Sequence, residues 1–259
     1  TALSTTIGLS EEDLSFGSAV ADIDDDGDLD LLVSNSPVLG DPVPTPVRLY
    51  VNHEGETRRW VKFRVVGQGH NGFGIGTRVE ITSQSVTQMR EVITGSSYKS
   101  QSELTLHFGV DDATVLDEID VFWPGDTTSR LLQNLATNQT WTLYPPEMLA
   151  DGDRDGDTDL DDFIVFAGCQ TGDDPGALQP GCEMMDLTGD ADVDASDFAE
   201  FLARYTGPLH DCNANGIPDM QDIVDGTVGD SGNGVPDVCE TSGAPAGGIP
   251  DGPNDIGFG

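Results

Sequence analysis

Three observations predict a multidomain, mainly β chain followed by a small α module and an acidic loop tail. Apolar and polar residues alternate repeatedly between about residues 48 and 145, the period-two signature of half-buried strands. All three tryptophans, Trp60, Trp123 and Trp141, lie in that stretch, so the large core is expected there. Beyond residue 150 the pattern changes to acidic loops that each run into a short apolar burst, first Phe163-Ile164-Val165-Phe166 and then Phe198-Ala199-Glu200-Phe201-Leu202. Each burst is long enough for two or three helical turns.

Composition excludes several function classes. The 259 residues carry 11 Lys plus Arg against 47 Asp plus Glu, a net charge of -36. That charge repels a phosphate backbone or an anionic membrane surface. Of the acids, 35 are Asp and 12 are Glu, a bias that suits short oxygen-donor loops and points to hard cations. No stretch approaches the roughly 18 apolar residues of a membrane span, and no leader opens the chain, which is expected to have lost one by processing or truncation. Cys169, Cys182, Cys212 and Cys239 form no CxxC pair, so two local disulfides are expected. Disulfides beside cation loops suit an oxidising, calcium-rich exterior, and secretion is the expected localisation.

The first element, 1–47, contains Asp22, Asp24, Asp26, Gly27, Asp28 and Asp30, running into Leu31-Leu32-Val33. Alternate spacing in a tight loop turns successive carboxylates toward one centre, glycine permits the sharp bend, and the seventh-position carbonyl adds an oxygen. Two carboxylates about 4 Å apart repel by about 1 kcal/mol in water and about 4 kcal/mol at an effective dielectric of 20. Such a cluster folds well only with a cation, and Ca2+ is the expected cofactor. The segment from Gly17 to Val33 resembles the FG-GAP repeats of calcium-binding β-propeller blades, with a later strand at Arg48-Leu49-Tyr50-Val51. A propeller closes with several blades, so this single repeat reads as a blade remnant of a larger ancestor.

The second element, 48–145, alternates at Val61, Phe63 and Val65, at Val79 and Ile81, at Leu104, Leu106 and Phe108, at Ile119, Val121 and Trp123, and at Trp141 and Leu143. These runs predict an antiparallel β-sandwich or barrel-like module. Asn71-Gly72-Phe73-Gly74-Ile75-Gly76-Thr77-Arg78-Val79, Gln88-Met89-Arg90-Glu91-Val92, Gly95-Ser96-Ser97-Tyr98-Lys99-Ser100-Gln101, Leu106-His107-Phe108-Gly109 and Val121-Phe122-Trp123-Pro124-Gly125 resemble, in order, the ASPIC/UnbV domain. That domain accompanies FG-GAP repeats in extracellular proteins of the cartilage acidic protein-like family. The resemblance implies architecture and context more than mechanism.

The third element, 146–208, holds two more loops. Asp151, Asp153, Asp155, Gly156, Asp157, Asp159 and Asp162 occupy positions 1, 3, 5, 6, 7, 9 and 12 of an EF-hand loop. Asp162 replaces the usual bidentate Glu, and its shorter reach predicts a weaker or water-assisted contact. Asp186, Thr188, Asp190, Ala191, Asp192, Asp194 and Asp197 repeat the pattern with Ala191 at the bend, where a non-glycine is expected to fit poorly. These paired loop-helix units resemble a dockerin module, which implies docking onto a cohesin-like extracellular partner. The Cys169 to Cys182 insert departs from compact dockerins.

The fourth element, 209–242, resembles thrombospondin type 3 calcium repeats at Asp211-Cys212-Asn213-Ala214-Asn215-Gly216-Ile217-Pro218-Asp219-Met220-Gln221-Asp222. The resemblance implies Asp211, Asn213, Asn215, Ile217, Asp219 and Asp222 as ligands. A shortened second copy implies Asn233, Asp237 and Glu240. With Gln221 standing where Cys212 would find its partner within the repeat, a Cys212–Cys239 pairing is predicted. The last element, 243–259, is Gly and Pro with few apolar anchors and is expected to be disordered.

No enzyme signature is present. His53, His70, His107 and His210 lack ligand spacing or an accompanying nucleophile, and the alternate acids fit metal better than a glycosidase pair flanking a cleft. Arg58, Arg59, Lys62 and Arg64 form a small positive cluster near a strand that could meet an acidic partner, but it reads better as a solvated strand face. The leading expectation is a secreted, non-catalytic calcium-binding protein mediating extracellular adhesion or protein docking, with an extracellular protein, cell-surface or polysaccharide component as partner. The alternative is a docking appendage of an extracellular, polysaccharide-degrading enzyme whose catalytic part lies N-terminal to residue 1. A third reading, a surface-layer component, predicts calcium-dependent self-association. The whole looks like the C-terminal fragment of a secreted bacterial protein.

Overall fold

The structure is a computed structural model that describes residues 14–36, 47–53, 57–95, 97–172, 174, 176–229, 235–237 and 239. The candidate ligands Asn233 and Glu240 and the expected disordered tail 243–259 lie outside the described residues, as do 1–13 and 37–46 of the expected blade remnant. The chain divides into two compact units, 1–131 with 136–143, and 132–135 with 144–259. Among the described residues no helix is long and apolar enough to cross a membrane.

The strands are β1 (Leu14–Ala21), β2 (Asp30–Ser36), β3 (Arg48–Tyr50), β4 (Arg59–Val65), β5 (Arg78–Ser83), β6 (Val86–Glu91), β7 (Leu106–Asp111), β8 (Glu118–Phe122), β9 (Arg130–Gln133) and β10 (Gln139–Leu143). They form three sheets, ordered β1-β2-β3, β10-β4-β7 and β6-β5-β8-β9. The antiparallel expectation holds at most pairings, but β10 runs parallel to β4, with Trp141 opposite Phe63.

The alternating apolar residues become the core of the first unit. Val61, Phe63, Val79, Ile81, Phe108, Ile119 and Val121 are fully buried, and Trp141 and Leu143 are nearly so. The edge-on Phe63–Phe108 ring pair, at 5.9 Å, adds to their burial. The β10-β4-β7 and β6-β5-β8-β9 sheets are joined by Gln88, whose amide donates to the Gly109 carbonyl at 2.8 Å, and by Arg90 over the Phe108 ring. Trp123 satisfies its indole N–H on the Val66 carbonyl at 2.8 Å, as a buried donor requires.

One expectation about this unit is corrected. Lys62, read as part of a solvated strand face, is only 4% exposed. Trp60 and Lys62 share the face of β4 opposite Val61 and Phe63, and that face is covered by the loop between β1 and β2. Trp60 shares its parity with Lys62, and a tryptophan there is the sequence signal that this part of the face is covered, whereas Arg64 farther along it is exposed.

In the second unit, after a 3-10 turn at Pro146–Met148, come α1 (Leu160–Cys169), α2 (Ala195–Arg204) and the short α3 (Asp219–Val224). Asp159 and Asp194 cap α1 and α2 with capping boxes completed by Asp162 and Asp197, placing carboxylates at the positive helix ends. Phe163 and Phe166 meet Phe198 and Phe201 with ring centroids 5.3 to 6.1 Å apart, and all four are buried. The two halves reciprocate. Past the end of α1, Thr171 N–H donates to the Val193 carbonyl at 3.0 Å, and past the end of α2, Thr206 N–H donates to the Thr158 carbonyl at 2.8 Å. Both bonds land on the eighth position of the partner's loop. Disulfides join Cys169 to Cys182 and Cys212 to Cys239, the second being the predicted pairing.

Candidate functional site: four acidic loops

Each acidic loop is a short segment that reverses direction around its own carboxylates, and the backbone shows how. Numbered in chain order as loops 1 to 4, with position 1 at Asp22, Asp151, Asp186 and Asp211, all four are left-handed at positions 4 and 6: Asp25 and Gly27 at φ 59° and 95°, Arg154 and Gly156 at 66° and 102°, Gly189 and Ala191 at 83° and 70°, Ala214 and Gly216 at 59° and 87°. The expectation that Ala191 fits the bend poorly is therefore refined. Loop 3 exchanges the glycine between the two positions and keeps the same bend.

Backbone N–H groups gather onto fixed carboxylates. In loop 2, Asp162 Oδ1 accepts from Gly152 at 2.6 Å and Asp153 at 3.2 Å, while Oδ2 accepts from Asp159 at 2.8 Å. Loop 3 repeats this on Asp197, whose Oδ1 accepts from Leu187 and Thr188 and whose Oδ2 accepts from Asp194. In loop 1 the second-position N–H of Ile23 goes to Asp30 at 3.0 Å, and in loop 4 that of Cys212 goes to Asp219 at 2.9 Å. Asp30, Asp162, Asp197 and Asp219 are buried.

Ligand atoms converge within 4.8 Å of one another in Asp22, Asp24 and Asp30, in Asp151, Asp153 and Asp162, in Asp157, Asp159 and Asp162, and in Asp186, Asp190 and Asp197. In three of the loops a buried carboxylate oxygen makes no hydrogen bond: Asp22 Oδ1, Asp151 Oδ1 and Asp190 Oδ1. A buried carboxylate oxygen left unpaired is expensive, and a cation would supply the missing partner. The donor set is all oxygen, which suits a hard divalent ion such as Ca2+. Loops 1 to 3 therefore fit the metal that their spacing implies.

Loop 4 differs. The Asn213 and Asn215 amides donate to Asp222 Oδ2 at 2.9 and 2.8 Å, and Thr227 donates to Oδ1 at 2.9 Å. These bonds, Asn213 first, hold the Asp222 carboxyl below its usual range. Both amides would have to turn over to offer oxygens to a metal. Asp211 accepts from Asn215 and Gly216, and Ile217 N–H donates to Asn215 Oδ1. Asp237 stands near Gly229, whose carbonyl accepts its N–H.

The electrostatics of loops 1 to 3 run the other way. Burial, then repulsion from Asp26 and Asp30, raises the Asp24 pKa. Burial raises Asp153 and Asp157 too, with neighbouring aspartates adding to it, and burial is the largest cause of the upward shifts at Asp162 and Asp197. Asp26, Asp28, Asp155, Asp186, Thr188, Asp192 and Asp194 complete the ladders. Asp26 Oδ1 accepts from Asp28 N–H, Asp155 Oδ1 from Asp157 N–H, Asp186 from Gly189 and Ala191 N–H, and Asp194 caps α2.

Loop 1 has partners that the sequence did not disclose. The Lys62 ammonium donates to Asp22 Oδ2 at 2.9 Å and to Asp25 Oδ1 at 2.8 Å, and lies 4.9 Å from the centre of the Trp60 ring. The Lys62 side chain is 6% exposed and that of Asp22 0%, so this is a buried pair, and removing one member of such a pair typically costs about 3 to 5 kcal/mol. Burial alone would depress the Lys62 pKa, but its bonds to Asp25 and Asp22 overcome that and raise it. His107, expected to be incidental, lies 2.6 Å through Nε2 from the Gly27 carbonyl and stacks on Trp60. Asn52 N–H donates to Asp30, and Glu103 accepts from Asp22 N–H. Asp25, outside the alternate ladder, is drawn below its usual range by Lys62.

A concavity of about 400 Å³ on the face of β1-β2-β3 is lined by Phe16, Leu31, Val33 and Tyr50 with several serines and Gly17, and brings no acid cluster together.

Residues 67–149 match the family described as ASPIC and UnbV. The matched segment begins after β4, although β4 is the central strand of its sheet. The chain is 30% identical over 144 residues to cartilage acidic protein 1 of Mus musculus, covering 54% of this chain and 21% of that protein. It is 32% identical over 143 residues to the Homo sapiens protein of the same name, covering 53% and 20%, and 33% identical over 112 residues to that of Xenopus tropicalis, covering 42% and 16%. The chain spans about a fifth of the length of the mouse and human relatives.

Proposed function

We propose that this chain is a secreted, non-catalytic binding protein whose acidic loops are set by calcium, with the β unit and the paired loop-helix unit offering surfaces for docking to an extracellular protein or a cell-surface or polysaccharide component. The observation that carries the reading is that each of loops 1 to 3 holds a buried carboxylate oxygen with no hydrogen bond, such as those of Asp22, Asp151 and Asp190, where further carboxylates converge. Bound calcium would neutralise the repulsion within each ladder. The chain's own residues do the rest. Asp162 and Asp197 gather the backbone, the left-handed pairs at positions 4 and 6 turn it, and the capping boxes hand it to helices whose phenylalanines pack together.

The two disulfides support an oxidising exterior. The relatives are named for cartilage and for acidity, and this chain is itself strongly acidic. Loops 1, 2 and 3 are the calcium loops of this reading, and loop 4 is a weaker site because its asparagine amides must turn first. The resemblance of the loop-helix pair to dockerin suggests a cohesin-like partner. A pull-down from a secreted fraction, in calcium and in chelator, tests the docking. Capture of the same protein or glycan in both conditions would count against a calcium-set docking surface.

A further inference from the structure

Lys62 sets loop 1 apart from the other acidic loops. From residue 146 onward the chain has two basic residues, Arg154 and Arg204. Arg154 donates to the Tyr144 hydroxyl and lies over that ring, and Arg204 pairs with Glu200 on its own helix. The repelling carboxylates of loops 2 and 3 thus stand in the most acidic and least basic part of the sequence. In loop 1, by contrast, a buried ammonium reaches in from β4 and bonds one oxygen of Asp22 and one of Asp25.

The geometry divides Asp22 between two tasks. Its Oδ2 accepts from Lys62 and from Gly27 N–H at 3.0 Å, while its Oδ1 is buried without a partner beside Asp24 and Asp30. Lys62 therefore fixes the rotation of the carboxylate that aims Oδ1 into the loop. Trp60 and His107 hold the other side: a Cβ on Gly27 would overlap the Trp60 indole, and His107 meets the Gly27 carbonyl.

We propose that Lys62 is a positioning residue and resident counter-cation for loop 1, keeping residues 22–30 closed on β4 and β7 in the absence of any divalent ion, whereas loops 2 and 3 close fully only with one. This goes beyond the calcium reading: the contrast with loops 2 and 3 and the rescue by calcium rest on that reading, whereas the hold of Lys62 on Asp22 and Asp25 in chelator does not.

Hydrogen exchange of the full chain, followed by mass spectrometry in chelator and then in excess calcium, tests the proposal. In chelator the wild type is expected to protect peptides covering 22–30 more than those covering 151–162 and 186–197. Lys62→Met is expected to lose about tenfold or more of that protection in chelator and to regain it when calcium is added, with tryptophan fluorescence reporting an intact β unit. Where the wild type takes up calcium, a loss that calcium does not restore would make Lys62 a merely structural residue and overturn the proposal, as in either case would a Lys62→Met loop protected like the wild type. Wild-type loop 1 exchanging as fast as loops 2 and 3 in chelator would also overturn it. Should Lys62→Met fail to fold, Asp25→Asn decides. It weakens the lysine's hold outside the alternate ladder at a left-handed position that Asn tolerates. Faster exchange at 22–30 in chelator supports the proposal and unchanged exchange overturns it. Calcium titration of the wild type separates the two readings: absence of uptake would sink the calcium loops, while the chelator comparison still decides the role of Lys62.

Discussion

Gly27 and Gly156 occupy the same bend position, with φ of 95° and 102°, yet they face different surroundings. A Cβ on Gly156 would meet open space, so Gly156→Ala is expected to cost only the left-handed penalty, about 1 to 2 kcal/mol by chemical denaturation. Gly27→Ala must also displace the Trp60 indole and is expected to cost more. Equal effects would show that loop 1 does not rest on Trp60. A charge substitution has two opposite readouts. Asp153 is raised by burial and by the aspartates around it, so Asp153→Asn should melt higher than the wild type in chelator. In calcium it loses a ligand, and its affinity should fall by something on the order of tenfold in titration calorimetry. A variant less stable in both conditions would mean that repulsion does not limit the metal-free loop.

At the scale of elements, the loop-helix pair is joined through four phenylalanines. Phe166→Ala opens a cavity against Phe163, Phe198 and Phe201 and is expected to cost about 3 to 5 kcal/mol. All three tryptophans lie in the first unit. The variant should therefore lose helical circular dichroism at lower denaturant while its tryptophan fluorescence transition stays in place. A fluorescence transition that shifts with the helices would show that the two units unfold together. Much at this scale was legible in the sequence. Alternate spacing is a local property, and the apolar bursts at Phe163 and Phe198 follow directly from it. Lys62 was not legible, because its partners lie 40 and 37 residues away and only the paired strands bring them together. Asn52 and Glu103 escaped notice for the same reason, since nothing in the spacing of loop 1 reveals which segments lie against it. The fit of Ala191 is not legible from its own position alone, because two left-handed residues share the bend and Gly189 supplies the other.

For the whole molecule, a net charge of -36 leaves little to oppose the self-repulsion of a compact chain. Two disulfides and two cores hold the polypeptide, but neither neutralises carboxylates clustered within 4.8 Å. Ion uptake should therefore stabilise by mass action, adding about 2.7 kcal/mol at a hundredfold excess over the dissociation constant for each independent site. The effect should be largest in the second unit, where basic residues are scarcest. Titration calorimetry of the fully chelated chain with calcium tests this most directly. The account predicts a saturable heat for about three sites, one each at loops 1, 2 and 3, accompanied by a higher melting temperature. No heat of uptake, together with the same melting temperature in calcium and in chelator, would contradict it.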